Sequence, residues 1–221
     1  MTQVKRTTKE SRASLVSSKY LRVALAGLFG TLLLLADPLD AIANQNLTVH
    51  MFQHIGLFFF SAVFGYGLER TLITRLNAIK QKTYIGWKIY TSLIKFNTRT
   101  KGLVFAAVIP AIVFPFWHYP ANFDLAVKDG YVHIMEHLSY IICGGLVGAS
   151  FLVIPHKLKA FLLIFAFLQA GMMASMMLVW PDFYSAYSAA QNLQMDTAMM
   201  LFGAFGMIAT GSWFLKVLDV I

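Results

Sequence analysis

The sequence predicts an all-α, polytopic membrane helical bundle of about six transmembrane helices. Three observations carry that reading. Of the 221 residues, 58% are hydrophobic and only 13% are charged, whereas a soluble domain carries about a quarter charged residues. The apolar residues come in long unbroken blocks, as membrane-spanning segments do. The Lys and Arg residues behind the net charge of +8 are confined to a few connecting segments. The basic balance therefore speaks for membrane topology, and no nucleic-acid partner is expected.

Residues 1–20 carry Lys5, Arg6, Lys9, Arg12 and Lys19 without hydrophobic periodicity. They form a basic cytoplasmic tail expected to be irregular or to lie on lipid. Residues 21–221 form a single transmembrane domain. Its first span covers about 22–38 and is ended by Asp37, Pro38 and Asp40; the second covers about 47–69. Between Arg70 and Lys101, Ile79, Tyr84, Trp87, Leu93 and Phe96 interleave with Lys80, Lys82, Lys88 and Lys95. That pattern reads as an amphipathic helix on the inner leaflet. The third span covers about 101–118, the fourth 130–154, the fifth 157–180 before Pro181, and the sixth 195–218. A span needs about 20 residues, so the first and third are short. Gly144, Gly145, Gly148, Gly203 and Gly206 are expected where helices pack closely. The lone Cys143 excludes an intramolecular disulfide framework and a cysteine-rich zinc site.

Orientation follows from the charges. In a six-span arrangement every Lys and Arg except Lys128 falls on one side, while Asp37, Asp40, Asp124, Asp129 and Asp182 fall on the other. The positive-inside rule then places both termini in the cytoplasm of a multi-pass cell-membrane protein. A cleaved signal peptide is the alternative for the first block, with Ala41-Ile42-Ala43 as its A-x-A site. The long polar lead and Asp37-Pro38 count against it, and cleavage leaves the remaining topology unchanged.

Two spans begin alike. Val49-His50-Met51-Phe52-Gln53-His54 opens the second and Val132-His133-Ile134-Met135-Glu136-His137 opens the fourth. The shared V-H-x-x-[Q/E]-H pattern suggests an internal duplication. On a helix, residues i and i+4 share a face about 6 Å apart, so each pair can converge on one metal ion or on two adjacent ones. Both spans run from outside to inside, which puts the four histidines at one outer-leaflet level. Asp196 and Met200 open the sixth span at a similar depth, and Met173 and Met176 close the fifth. The expected metal ligands are His50, His54, His133 and His137, with Asp196, Met173, Met176 and Met200 as auxiliaries. Imidazole with thioether favours copper. Gln53, Glu136 and Asp129 are the expected outer residues that fix the imidazoles, with Glu136 as a ligand or proton carrier the alternative. His118 and His156 read as solvated loop residues. Haem b is the competing use of the histidines, yet a bis-histidine haem leaves two of them over at the same depth.

His50-Met51-Phe52-Gln53-His54 resembles the H-M-x-x-H element of the CtaG-type assembly factors of haem–copper oxidases. The resemblance covers this motif, the second histidine-bearing helix and the multi-span architecture. It implies a copper-binding protein that assists copper delivery to a respiratory oxidase, with a membrane protein complex as partner. Asp129-x-x-x-His133 is fainter in its likeness to the Asp/His copper site of a membrane subunit of particulate methane and ammonia monooxygenases. It implies, as an alternative, a subunit of a copper-dependent membrane oxidase or monooxygenase.

Overall fold

The computed structural model describes residues 2–78, 92 and 100–217, and the described residues hold eight α-helices and no strand. They are α1 (Thr2–Leu34), α2 (Asp37–Gln45), α3 (Leu47–Ala78), α4 (Thr100–His118), α5 (Pro120–Lys128), α6 (Gly130–Ser150), α7 (His156–Val179) and α8 (Ala189–Val217). The segments Leu47–Arg75, Gly130–Ser150, His156–Val179 and Ala189–Lys216 are long and apolar enough to cross a membrane. A fifth span arises if α1 from Ser18 onward and α2 count as one broken crossing. The apolar stretch Ala107–His118 of α4 is shorter. The amphipathic helix expected around Ile79–Phe96 falls almost entirely outside the described residues.

The N-terminal tail is not irregular, because α1 is helical from Thr2. No Gly or Pro interrupts the chain before Gly27, and Lys, Arg, Glu and Ala are good helix formers. At the other end of α1, Ala36 is extended and Pro38 sits in the first turn of α2. Proline has no backbone N–H to give and presets the dihedral there, so it stops one helix and starts the next. Tyr119 and Pro120 repeat the arrangement between α4 and α5.

That repetition is systematic. One sequence offset separates Asp37 from Pro120, the cap Asn46 from the cap Asp129, His50 from His133, Gln53 from Glu136 and His54 from His137. The nine-residue helices α2 and α5 match in length. The duplication therefore extends from a six-residue motif to two helix–short helix–helix modules, α1–α3 and α4–α6.

The chain divides into two compact units. The first comprises Met1–Leu35, Gly56–Ile112 and Leu138–Val153. Within it, α3 and α6 approach backbone to backbone. A Cβ on Gly65 would strike the Gly145 carbonyl, and a Cβ on Gly148 would strike the Ala62 carbonyl. These two contacts are mates under the same sequence offset, the signature of a pseudo-twofold pair. Gly144 likewise has its Cβ position filled by Phe58 and Ser61. Small residues give membrane helices their close approach, since apolar area alone gains nothing against lipid.

The second unit comprises Ala36–Ile55, Val113–His137 and Ile154–Ile221. Helices α7 and α8 pack along each other there, with Gly203 and Gly206 lying against Phe167. Leu47, Met51, Phe123, Ala174, Met177, Tyr184, Tyr187, Met195 and Met199 form its buried cluster. Both histidine pairs, and the residues that surround them, belong to this unit.

Candidate metal centre

Helix starts place the histidines. Asn46 Oδ1 accepts the Val49 N–H at 3.1 Å. Asp129 Oδ1 accepts the N–H groups of Tyr131 and Val132 at 2.8 and 3.2 Å. Side-chain oxygens at these positions satisfy the orphan donors of a first turn. His50 and His133 follow in that turn, and His54 and His137 lie one turn on. All four are buried, at 0, 8, 0 and 5% exposure for His50, His133, His54 and His137. The ring centroids of His50 and His54 are 4.5 Å apart, and those of His133 and His137 are 4.1 Å apart. Across the repeat, His50 is 5.4 Å from His133 and His54 is 5.4 Å from His137. The two sequence pairs thus form one cluster of four imidazoles.

Two carboxylates and a phenol surround the rings. Glu136 is fully buried; its Oε1 lies 3.6 Å from His54 Nε2, and its Oε2 lies 3.9 Å from both His50 Nε2 and His133 Nδ1. Asp40 enters from α2. Its Oδ1 accepts the Gln53 amide at 2.8 Å and lies 3.2 Å from His133 Nε2 and 3.9 Å from His137 Nδ1. Tyr187, from the segment before α8, donates its O–H to the Ala43 carbonyl at 3.2 Å and meets His50 Nδ1 at 2.8 Å. Burial pushes the Tyr187 phenol above its ordinary value, so it keeps its proton at neutral pH. With that proton on Ala43, the phenol oxygen accepts from His50 Nδ1–H, and the lone pair of His50 is left on Nε2. Asp40 does the same for His133, whose Nε2–H it accepts, leaving the lone pair on Nδ1.

Among the described residues no donor meets His50 Nε2 or His133 Nδ1, and His137 Nε2 is likewise buried without a hydrogen-bond partner there. An unpaired buried polar atom costs about 1–3 kcal/mol, and three side by side on oriented rings call for a shared occupant. His50, His133 and His137 each offer a ligand atom within 4.8 Å of the others, as do His50, His54 and Glu136. A metal ion bonding nitrogens at about 2 Å fits such a spacing after small adjustments. The arrangement of ring, hydrogen bond and outer acceptor is the one that ligating histidines use.

Other expected residues fall differently. Asp129 is exposed and caps α6, so it is a helix-start residue and not a support for the imidazoles. Gln53 holds Asp40 and belongs to the supporting layer. Asp196 is buried with Oδ1 unpartnered, but it joins neither three-ligand group. Met173 is partly buried and takes the Tyr184 O–H on its sulfur at 3.5 Å. Met176 and Met200 are 44% and 46% exposed, because the α7 and α8 faces that point inward carry Met177, Met195 and Met199 instead. His118 is no solvated loop residue: it ends α4, pairs Nδ1 with the Phe114 carbonyl at 2.7 Å and lies 6.1 Å from the His54 ring. His156 is exposed, as expected.

Sequence reasoning missed Asp40, Tyr187 and Phe123. Asp40 stands at the repeat position of Phe123, whose ring lies 5.0 Å from His50. Aligning the two modules would have pointed to both. Tyr187 carried no local signal. It is brought to His50 by the loop that Asn192 and Asp124 hold: Asn192 binds the backbone of Tyr184 and Ser188, and Asp124 accepts from the backbone of Ser185 and Ala186.

The chain belongs to the DUF1404 family, described as a protein of unknown function, whose model matches residues 25–218 and so includes the whole centre. No curated protein and no solved structure matches the chain.

Proposed function

We propose that this DUF1404 chain is an integral membrane copper-binding protein that assists delivery of copper to, or assembly of, a respiratory haem–copper oxidase. One observation carries the metal reading: three buried imidazole nitrogens, on His50, His133 and His137, stand together with no hydrogen-bond partner among the described residues. Their other nitrogens are turned toward Tyr187 and Asp40. Imidazole accepts copper in either oxidation state. The H-M-x-x-H element at His50–His54 supports the oxidase client. Haem is disfavoured by the crowding, since a macrocycle needs a flat slot and each ring here has another imidazole centred within 5.4 Å.

In this reading the chain spans the cell membrane six times with both termini in the cytoplasm. The centre then sits in the outer-leaflet third, where α2, α5 and the Tyr187 loop close over it. Exchangeable copper at that depth suits hand-over to a client in the same bilayer. The accessory-subunit alternative uses the same ligands for a metal that stays.

Deleting the gene tests delivery. Oxidase copper content in the membranes is expected to fall, and to be restored by excess copper or by wild-type protein but not by His50→Ala/His133→Ala. An oxidase fully loaded with copper in the deletion strain would remove the delivery role.

A further inference from the structure

The two three-ligand groups share one member, His50. Its Nδ1 is engaged with Tyr187, so Nε2 is the nitrogen left to serve a metal in either group. A neutral imidazole nitrogen has one lone pair and makes one metal bond. The groups therefore cannot both be filled at once, although four histidines in two pairs had room for two ions on paper.

The groups are also unlike. One is all imidazole: His50, His133 and His137, backed by Asp40, whose side chain is 27% exposed. The other holds His54 and Glu136, both fully buried. The difference comes from the duplication. Where the second module has Glu136 the first has Gln53, and where the first has Asp40 the second has Phe123. Two faithful copies would have made two equal positions around a pseudo-twofold axis. Diverged copies make two unequal positions, one backed by the partly exposed Asp40 and one fully enclosed.

We infer that the chain binds one copper ion at a time and passes it between two overlapping positions, an entry triad of His50, His133 and His137 and an inner triad of His50, His54 and Glu136, with His50 bound throughout. The inference rests on the copper reading above. The entry triad carries no formal charge. The inner triad adds a carboxylate, which offsets the charge of a cation held in low dielectric. Exchanging two ligands around a retained third lets the ion move without being stripped of protein donors, which a carrier that must release its cargo requires. No bond other than those to the metal is made or broken, and no electron is transferred.

The test uses the full chain in detergent, titrated with Cu(I) held by a competing chelator. Copper per chain and X-ray absorption are read for the wild type, His133→Ala/His137→Ala, His54→Ala/Glu136→Gln and His50→Gln. The wild type is expected to bind about one copper, as one shared lone pair permits. Each double variant should still bind one, more weakly and with a changed ligand shell, because one triad loses two members while the other stays whole. His50→Gln should bind none. Two coppers per wild-type chain would overturn the inference, as would complete loss in either double variant or full binding by His50→Gln. A wild type that binds no copper at all would instead overturn the copper reading itself. Size-exclusion profiles separate loss of a ligand from loss of the fold. If a variant fails that control, the wild-type stoichiometry and ligand shell still decide.

Discussion

At the scale of single residues, the centre depends on which nitrogen each imidazole presents. Tyr187 and Asp40 make that choice for His50 and His133. Tyr187→Phe removes the hydrogen-bond acceptor at His50 Nδ1 and frees the ring to turn. Supporting partners of this kind are worth about 10–100-fold in metal affinity, and that loss is the expected result of a chelator competition titration. The protein should stay folded, because a Tyr-to-Phe change removes hydrogen bonds worth about 0.5–1.5 kcal/mol each. Asp40→Asn should weaken binding over the same range, since an amide is a poorer acceptor for His133 Nε2–H than a carboxylate. A titration that either variant leaves unmoved would show that the rings are set by packing alone. The histidines themselves were legible in the sequence, because the i, i+4 spacing of His50 with His54 and of His133 with His137 needs nothing beyond a helix. Tyr187 and Asp40 were not, because their contacts cross long stretches of chain. The methionines misled for a related reason. Sequence places Met172, Met173, Met176 and Met177 at one depth, but only helix rotation decides which of them face inward, and the structure turns Met177 in and Met176 out.

At the scale of elements, glycine sets the packing of α3 on α6. Gly148→Ala drives a methyl into the Ala62 carbonyl, a backbone atom that cannot step aside. Overpacking of this kind costs about 1–3 kcal/mol, read as a lowered unfolding midpoint in detergent. Gly211→Ala is the control. None of the described residues lies near its Cβ position, and alanine in a helix interior is favoured over glycine by about 0.5–1 kcal/mol, so its midpoint should hold or rise. Equal effects at both positions would mean that helix propensity, and not close approach, governs these sites. The start of α8 lies ahead of the sixth span expected from 195, at Ser188-Ala189-Ala190-Gln191. Ser188 Oγ accepts the Gln191 N–H, and Gln191 Oε1 accepts the Ser188 N–H, each at 3.3 Å, the reciprocal capping pair that this spacing announces. The short helices α2 and α5 were not legible as helices. Each is nine residues long, and hydropathy alone sees only the proline and the acidic residues that break the apolar blocks.

At the scale of the whole molecule, the all-helical apolar architecture followed from composition, while its duplication showed itself only in part. The motif revealed six residues of likeness; matched caps, matched short helices and mated glycine contacts reveal whole modules. Orientation remains the claim that relates the centre to a side of the membrane. With Cys143 buried, cysteines placed at exposed positions can report it. Ser188→Cys should react with an impermeant maleimide on intact cells, and Lys157→Cys should react only after permeabilisation, as the positive-inside rule requires. The reverse pattern would place the centre at the inner leaflet and remove the rationale for uptake from outside.

Copper content of the purified protein tests the central claim most directly. Wild-type protein prepared without added metal should carry copper, and His50→Ala/His133→Ala, prepared in parallel and eluting as the same folded species, should carry none. Unchanged metal content in that variant, or a wild type free of copper even after loading, would contradict it.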